Sequence, residues 1–301
     1  MIGIESDEVQ QCIQGAIDMH VHSAPDVMPR KGDDIECAWR VRNAGMAGFV
    51  LKSHHVPTAD RAALVNKVVP GIRAYGALAL NNFVGGMNPM AVEVAGRLGA
   101  KVVWMPTVDA QNEERQLAHQ DPALRPYWAA LHLQLKAQGR LKPPVTVVNE
   151  NGALTSDVLQ VLDLIKEYGM VLATGHLSPK ESVQLIREAH RRGLERIVVT
   201  HPEFPTTRFT ISEQRALMEY GVSFERCYTT PATGKVAWEE VYAAIRATGP
   251  HANILSTDLG QPQALFLDDG LKDFCVHLLN EGFTPADIHI MTSTNPANLL
   301  D

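Results

Sequence analysis

The stretch Ala16-Ile17-Asp18-Met19-His20-Val21-His22 reads as a buried strand that ends in two histidines. In an extended chain residues two apart point the same way, so both imidazoles face one point. Three further apolar runs end in a similar manner. His176 follows Val171-Leu172-Ala173-Thr174, His201 follows Ile197-Val198-Val199-Thr200, and Asp258 follows Asn253-Ile254-Leu255-Ser256. Nitrogen and oxygen donors at successive strand ends are what a divalent cation at the mouth of a parallel barrel requires. The chain has twelve histidines, so some follow strands by chance. Four of them together with an aspartate, all so placed, are a stronger signal than any one alone.

Working outward, short apolar runs recur at 16–21, 48–51, 73–80, 101–106, 171–174, 196–200, 222–225 and 253–257. Helical periodicity falls between them, near 33–44, 58–69, 88–98, 156–168, 178–192, 211–220, 235–247 and 267–281. Thr58 and Ser178 suit helix N-caps, Pro89 and Pro179 suit first turns, and glycines such as Gly99, Gly169 and Gly193 stand just past helix ends. Strand and helix alternating in this way predict an α/β fold, a single (β/α)8 TIM barrel spanning 1–301 as one domain. Residues 284–301 read as two short closing helices.

The rhythm breaks once, between the fourth and fifth runs. Residues 107–155 read as an insertion at the catalytic face, with a helix near 125–138 and then Pro143-Pro144-Val145-Thr146-Val147-Val148-Asn149-Glu150-Asn151-Gly152. The last part predicts a hairpin with Asn-Gly chemistry in its turn. Such a hairpin would suit a lid or the contact of a homo-oligomer.

A formal net charge of −7 argues against nucleic acid or an anionic membrane as partner. No apolar run is long enough to span a bilayer. The opening residues, with Glu5, Asp7 and Glu8, lack the basic start and apolar core of a secretory leader. Cys12, Cys37, Cys227 and Cys275 form no CxxC pair and suit free thiols in a reducing compartment. The expectation is a cytoplasmic protein acting on a small-molecule substrate.

With these residues in place, the chain resembles the amidohydrolase superfamily of metal-dependent barrel enzymes. That family's pattern is HxH on strand one, a His on strand five, a His on strand six and an Asp on strand eight. Here the pattern falls on His20 and His22, His176, His201, and Asp258 in Ser256-Thr257-Asp258. The chain is most similar to a small amidohydrolase-like group with a His-Val-His-Ser-Ala-Pro-Asp opening and a Thr-Gly-His-Leu-Ser segment. The resemblance implies one or two divalent ions, zinc foremost, and hydrolysis of a C–N bond in a small amide, imide or cyclic amide. The attacking group would be a metal-bound hydroxide, with Asp258 as general base and then acid. Lactone hydrolysis, or decarboxylation by a mononuclear relative, are the alternatives the same scaffold offers.

One departure from the pattern stands out. Two-metal relatives usually bridge their ions with a carboxylated Lys or a Glu at the end of strand four, which here runs Trp104-Met105-Pro106-Thr107-Val108-Asp109. Lys52 ends strand two instead, in Leu51-Lys52-Ser53-His54-His55. A plain ammonium beside two cations is repelled strongly in a low-dielectric cleft. Either Lys52 is carboxylated and bridges, or its charge replaces the second ion, or it serves a salt bridge. Arg30, able to clamp a carboxylate, His54, Asn81 and Glu203 also stand near strand ends and are candidates for substrate binding.

Overall fold

The computed structural model describes residues 2–117, 119, 121–122 and 125–301. Nine strand segments run in chain order: β1 Ile17–Val21, β2 Gly48–Leu51, β3 Arg73–Tyr75, β4 Ala77–Ala79, β5 Val102–Trp104, β6 Val171–Ala173, β7 Ile197–Val199, β8 Ser223–Cys227 and β9 Asn253–Ser256. Every neighbouring pair is parallel. Helices alternate with them, giving a parallel α/β architecture of the barrel type.

The single closed eight-stranded ladder that the sequence predicts is not what the pairing shows. The ladder divides into a three-stranded sheet, β1-β2-β3, and a six-stranded sheet, β4 to β9. The division falls inside the third predicted run, at Gly76. Ala77 bonds to Thr58 rather than to β2: Thr58 N donates to Ala77 O at 3.0 Å, and Ala77 N donates to Thr58 Oγ1 at 2.8 Å. Gly76 permits this approach, since a Cβ there would come within 2.3 Å of Ala59 Cα. Thr58 does stand before its helix, but its hydroxyl is used here and on Leu51 O, and not on the helix. At the other break the chain just beyond β9 reaches β1, with Asp258 N donating to His20 O and His22 N to Leu259 O, both at 2.8 Å.

The predicted helices form with bounds shifted by a residue or a few: α2 Asp34–Asn43, α3 Ala59–Val68, α4 Pro89–Arg97, α7 Ser156–Glu167, α8 Pro179–Arg191, α9 Ile211–Leu217, α11 Trp238–Thr248 and α12 Leu267–Asn280. Ser178 and Glu181 make a capping box at the start of α8, and Thr210 and Glu213 do so for α9. The short helices α1 Asp7–Ile13, α5 Gln111–Leu117 and α10 Thr229–Ala232 were not expected. At the chain end α13 Pro285–His289 and α14 Asn295–Leu300 flank a π-helical turn. Leu299 and Leu300 pack with the inner side chains of the strands, among them Ile17, Met19, Val50 and Trp104. Among the described residues no helix is long and apolar enough to cross a membrane.

Residues 118, 120, 123 and 124 of the predicted insertion lie outside the described residues. In the rest, the helix near 125–138 appears as α6 Ala129–Ala137. The hairpin is reduced to one antiparallel bridge, Val148 with Leu154, around the turn that Asn149 and Gly152 close. Pro143 and Pro144 lack the N–H groups a longer ladder would need. Val145 pairs back to Ala110, at the exit of β5, instead.

Candidate active site

The first two histidines depend on an irregularity in β1. Met19 packs inside the strands with Val50 and Trp104, whereas Val21 packs outside with Phe49 and Leu51. Strict alternation from Met19 would bring Val21 inside and turn His20 and His22 out. The register with β2 shifts between Asp18 and Val21, which changes the parity and brings both imidazoles inward. Asp18 secures this end. Its Oδ1 accepts from His20 N at 3.1 Å and Thr257 N at 3.0 Å, and its Oδ2 from Thr257 Oγ1 at 2.5 Å. Burial pushes the Asp18 carboxyl up to about 7 in spite of these bonds.

Thr257, held by Asp18, sets Asp258 beside the histidines. Asp258 Oδ1 lies 3.1 Å from His20 Nε2 and 3.2 Å from His22 Nε2, and its Oδ2 accepts from Thr229 Oγ1 at 3.1 Å. Burial alone would raise this carboxyl, but the two imidazoles outweigh it and hold Asp258 well below the usual range. Burial and the Arg30 guanidinium push His22 down to about 3. Lys52, just past β2, brings Nζ to 2.7 Å from His20 Nε2 and 5.0 Å from the centre of the Trp104 ring. Burial lowers its pKa from the ordinary lysine value.

His176, past β6, and His201, past β7, complete the group. Their ring centres are 4.9 Å apart; His201 is 6.3 Å from His20, and His54 is 4.8 Å from His22. Among the described residues, His201 (φ 28°) and Asp258 (φ 54°) are the only ones that carry a β-carbon at positive φ. Such conformations cost about 1–3 kcal/mol each and persist where surrounding contacts impose them, commonly at functional sites. Gly260 follows, at a point where a Cβ would come within 1.8 Å of His22 O.

Hydrogen bonds divide the histidines into two kinds. Glu225 Oε2 is 3.3 Å from His20 Nδ1, and Glu113 Oε1 forms an ion-pair contact with His176 Nδ1 at 3.1 Å. Thr207 Oγ1 spends its proton on His201 O and lies 3.1 Å from His201 Nδ1. The contacts of His20 and His201 suit a proton on Nδ1, which would turn Nε2 towards an ion, whereas His176 Nδ1 makes no hydrogen bond and meets Glu113 only as a charge. His54 is the opposite case. Thr107 Oγ1 accepts from Asn81 Nδ2 at 2.7 Å and has, among the described residues, only His54 Nδ1, at 2.9 Å, to donate to. The His54 proton therefore sits on Nε2, making that nitrogen a donor and not a ligand.

These groups open on a cavity of ≈ 360 Å³ lined by His22, Lys52, His54, His176, His201 and Asp258, with Trp128 and Phe204 among its walls. Arg30 also lines it, tied to Asp26 through Nε at 2.8 Å. Asn81 and Glu203 do not. Asn81 spends its amide on His54 O, Thr107 and Asp109 N, clamping the strand ends behind His54. Glu203 is buried in an ion pair with Arg226. Sequence reasoning missed Glu113, which lies in a polar segment, Gln111 to Gln116, without any pattern to single it out. Burial pushes its carboxyl up to about 7. It also missed Trp128 and Arg125, which the insertion brings over the cavity, and Lys235 after α10. Asp18 is marked in the sequence only as an acid within an apolar run.

The fold is shared with solved structures of low sequence identity. An amidohydrolase from Pseudomonas aeruginosa is 12% identical with a TM-score of 0.61, covering 97% of each chain. A probable dipeptidase from the same organism is 11% identical with a TM-score of 0.63, covering 98% of this chain and 96% of its own. The organophosphorus hydrolase from Deinococcus radiodurans is 15% identical with a TM-score of 0.57, covering 97% of this chain and 94% of its own. No curated protein matches the sequence. The model of one family does match, over residues 15–225, and with that span the chain belongs to the family of unknown function DUF6282.

Proposed function

We propose that the chain is a metal-dependent hydrolase of the amidohydrolase kind, cleaving a C–N bond in a small amide, imide or cyclic amide. One observation carries this reading: His20 Nε2, His22 Nε2 and Asp258 Oδ1 lie within 4.8 Å of one another at the rim of the strands. The Nδ1 contacts of His20 and His201 support it, since a proton held there would turn Nε2 towards an ion. The solved amidohydrolase, dipeptidase and organophosphorus hydrolase with this fold are consistent with it. The residues that would hold the ion or ions are His20, His22, His176, His201 and Asp258. A bound divalent ion would supply Lewis acidity and lower the pKa of water from about 15.7 to about 7.

The chain's own groups divide the remaining work. Asp258, its Oδ2 fixed by Thr229, takes the proton of the attacking water and passes it to the leaving nitrogen. His54 Nε2–H donates to the carbonyl oxygen as negative charge grows there. Trp128 and Phe204 shield the cavity from bulk water. Lys52, buried with Nζ 2.7 Å from His20 Nε2, is the residue whose carboxylation would supply a further anionic ligand to the ion-binding group. The second reading is a mononuclear decarboxylase, favoured by the lack of a Lys or Glu at the end of β5.

Purified protein should contain about two ions per chain if Lys52 is carboxylated and one if it is not. Hydrolysis across a panel of cyclic amides and lactones should vanish on chelation and return with zinc or manganese. Hydrolysis that persists in demonstrably metal-free protein would refute the reading. Outer carboxylates matter as well. Glu113→Gln is expected to weaken ion affinity about 10- to 100-fold, measured by competition with a chelating dye, because the ionisable carboxyl 3.1 Å from His176 Nδ1 is lost. An unchanged affinity would mean that Glu113 serves the fold alone.

A further inference from the structure

The charge of the cavity is opposite to that of the chain. The protein carries a formal net charge of −7, yet the cavity wall, apart from Lys52 and Asp258 of the ion-binding group, includes Arg30, Arg125 and Lys235 and no further carboxylate. Asp258 belongs to the ion-binding group and Arg30 is already paired with Asp26. Arg125 and Lys235 remain. Among the described residues Arg125 Nε has no hydrogen-bond partner although it is buried. Lys235 Nζ has one hydrogen-bond partner, the neutral Thr233 Oγ1 at 2.8 Å, and feels the charge of Asp258 without pairing with it. Cations brought to the wall of a small cavity in excess of carboxylates create a positive field that a neutral amide would leave unanswered.

Resting on the hydrolase reading, we infer that the substrate carries a carboxylate group apart from the bond that is cleaved, and that Arg125 and Lys235 receive it. Arg30, held in place by Asp26, adds its charge from the side of His22. The arrangement suits a compact molecule: the cavity of ≈ 360 Å³ is at the small end of ligand sites, and Trp128 and Phe204 offer apolar surface to its body. Arg125 comes from the insertion and Lys235 from the loop after α10. Both lie outside the group of ion ligands, so the carboxylate and the scissile bond meet different parts of the wall. A fork of guanidinium donors matches the two oxygens of a carboxylate, and the lysine adds a point charge.

The test compares phthalate and glutarate with their neutral diamides, phthalamide and glutaramide, by calorimetry on the metal-loaded and the chelator-stripped protein. The dicarboxylates should bind at least about tenfold more tightly than the diamides, and more weakly as salt is raised. Arg125→Gln and Lys235→Gln should each remove most of that preference in both forms of the protein, while ion content, measured separately, stays at the wild-type value. Equal binding of acid and amide would overturn the inference. So would a preference that appears only with metal and survives both substitutions, because the ion itself would then be holding the carboxylate. Sulfate binding as tight as phthalate would overturn the assignment to carboxylates. A protein that holds no metal yet keeps the Arg125-dependent preference would refute the hydrolase reading and leave the carboxylate site standing.

Discussion

Asp258→Asn is expected to lower kcat by about a thousandfold and to leave KM within a few-fold of wild type. The substitution is well suited to isolate the charge. Asp258 sits at φ 54°, a conformation that Asn tolerates as readily as Asp, so the backbone beyond β9 should keep its path. The amide oxygen can still accept from Thr229, which now bonds to Oδ2 at 3.1 Å. What is lost is a base: an amide takes no proton from water and returns none to the leaving nitrogen. The same change weakens the pull on the ion, so kcat is to be measured at saturating metal with ion content determined on the same sample. Turnover within tenfold of wild type, with the ion in place, would show that the proton travels by another group.

Much of this site was legible because its donors stand at strand ends, where a barrel gathers them. His20, His22, His176, His201 and Asp258 could be named from apolar runs alone, and the structure brings them together. Period two explains why His20 and His22 agree with each other, but it puts them on the face opposite Met19. The shift in register after Asp18 brings them inside, and a shift in pairing leaves no mark in a single strand's sequence. Partners across the fold were illegible for a similar reason. Glu113 reaches His176 from α5, and Glu225 reaches His20 from β8, contacts set by tertiary packing. Asn81 and Glu203 stand near strand ends as the four histidines do, yet their polar atoms are consumed by Thr107, Asp109 and Arg226. Position along the chain cannot separate an unspent polar group from a spent one.

Replacing His20 and His22 together by Ala should leave a folded protein that holds no ion above background and shows no hydrolysis. The two residues contribute differently to the fold. His22 contacts Asp258 through Nε2 and its Nδ1 has no partner, so its loss breaks few polar contacts, although the buried ring leaves its place beside His54. His20 faces Glu225 and Trp104 from the interior of the strands, and its removal leaves a buried carboxylate without its nearest imidazole. An unsatisfied buried group of that kind costs about 1–3 kcal/mol, a tolerable loss for a domain of this size. The far-ultraviolet circular dichroism should therefore stay near wild type while the thermal midpoint falls by a few degrees. Ligand linkage supplies a second readout that does not depend on turnover. A ligand at a hundred times its Kd stabilises the folded state by about 2.7 kcal/mol, so added zinc should raise the wild-type midpoint and leave that of the double variant unmoved. His22→Ala alone should behave like the double variant towards metal but like wild type in its absence. If the double variant keeps its full complement of ion, the donors at these strand ends are packing groups, and the common centre assigned to them does not exist.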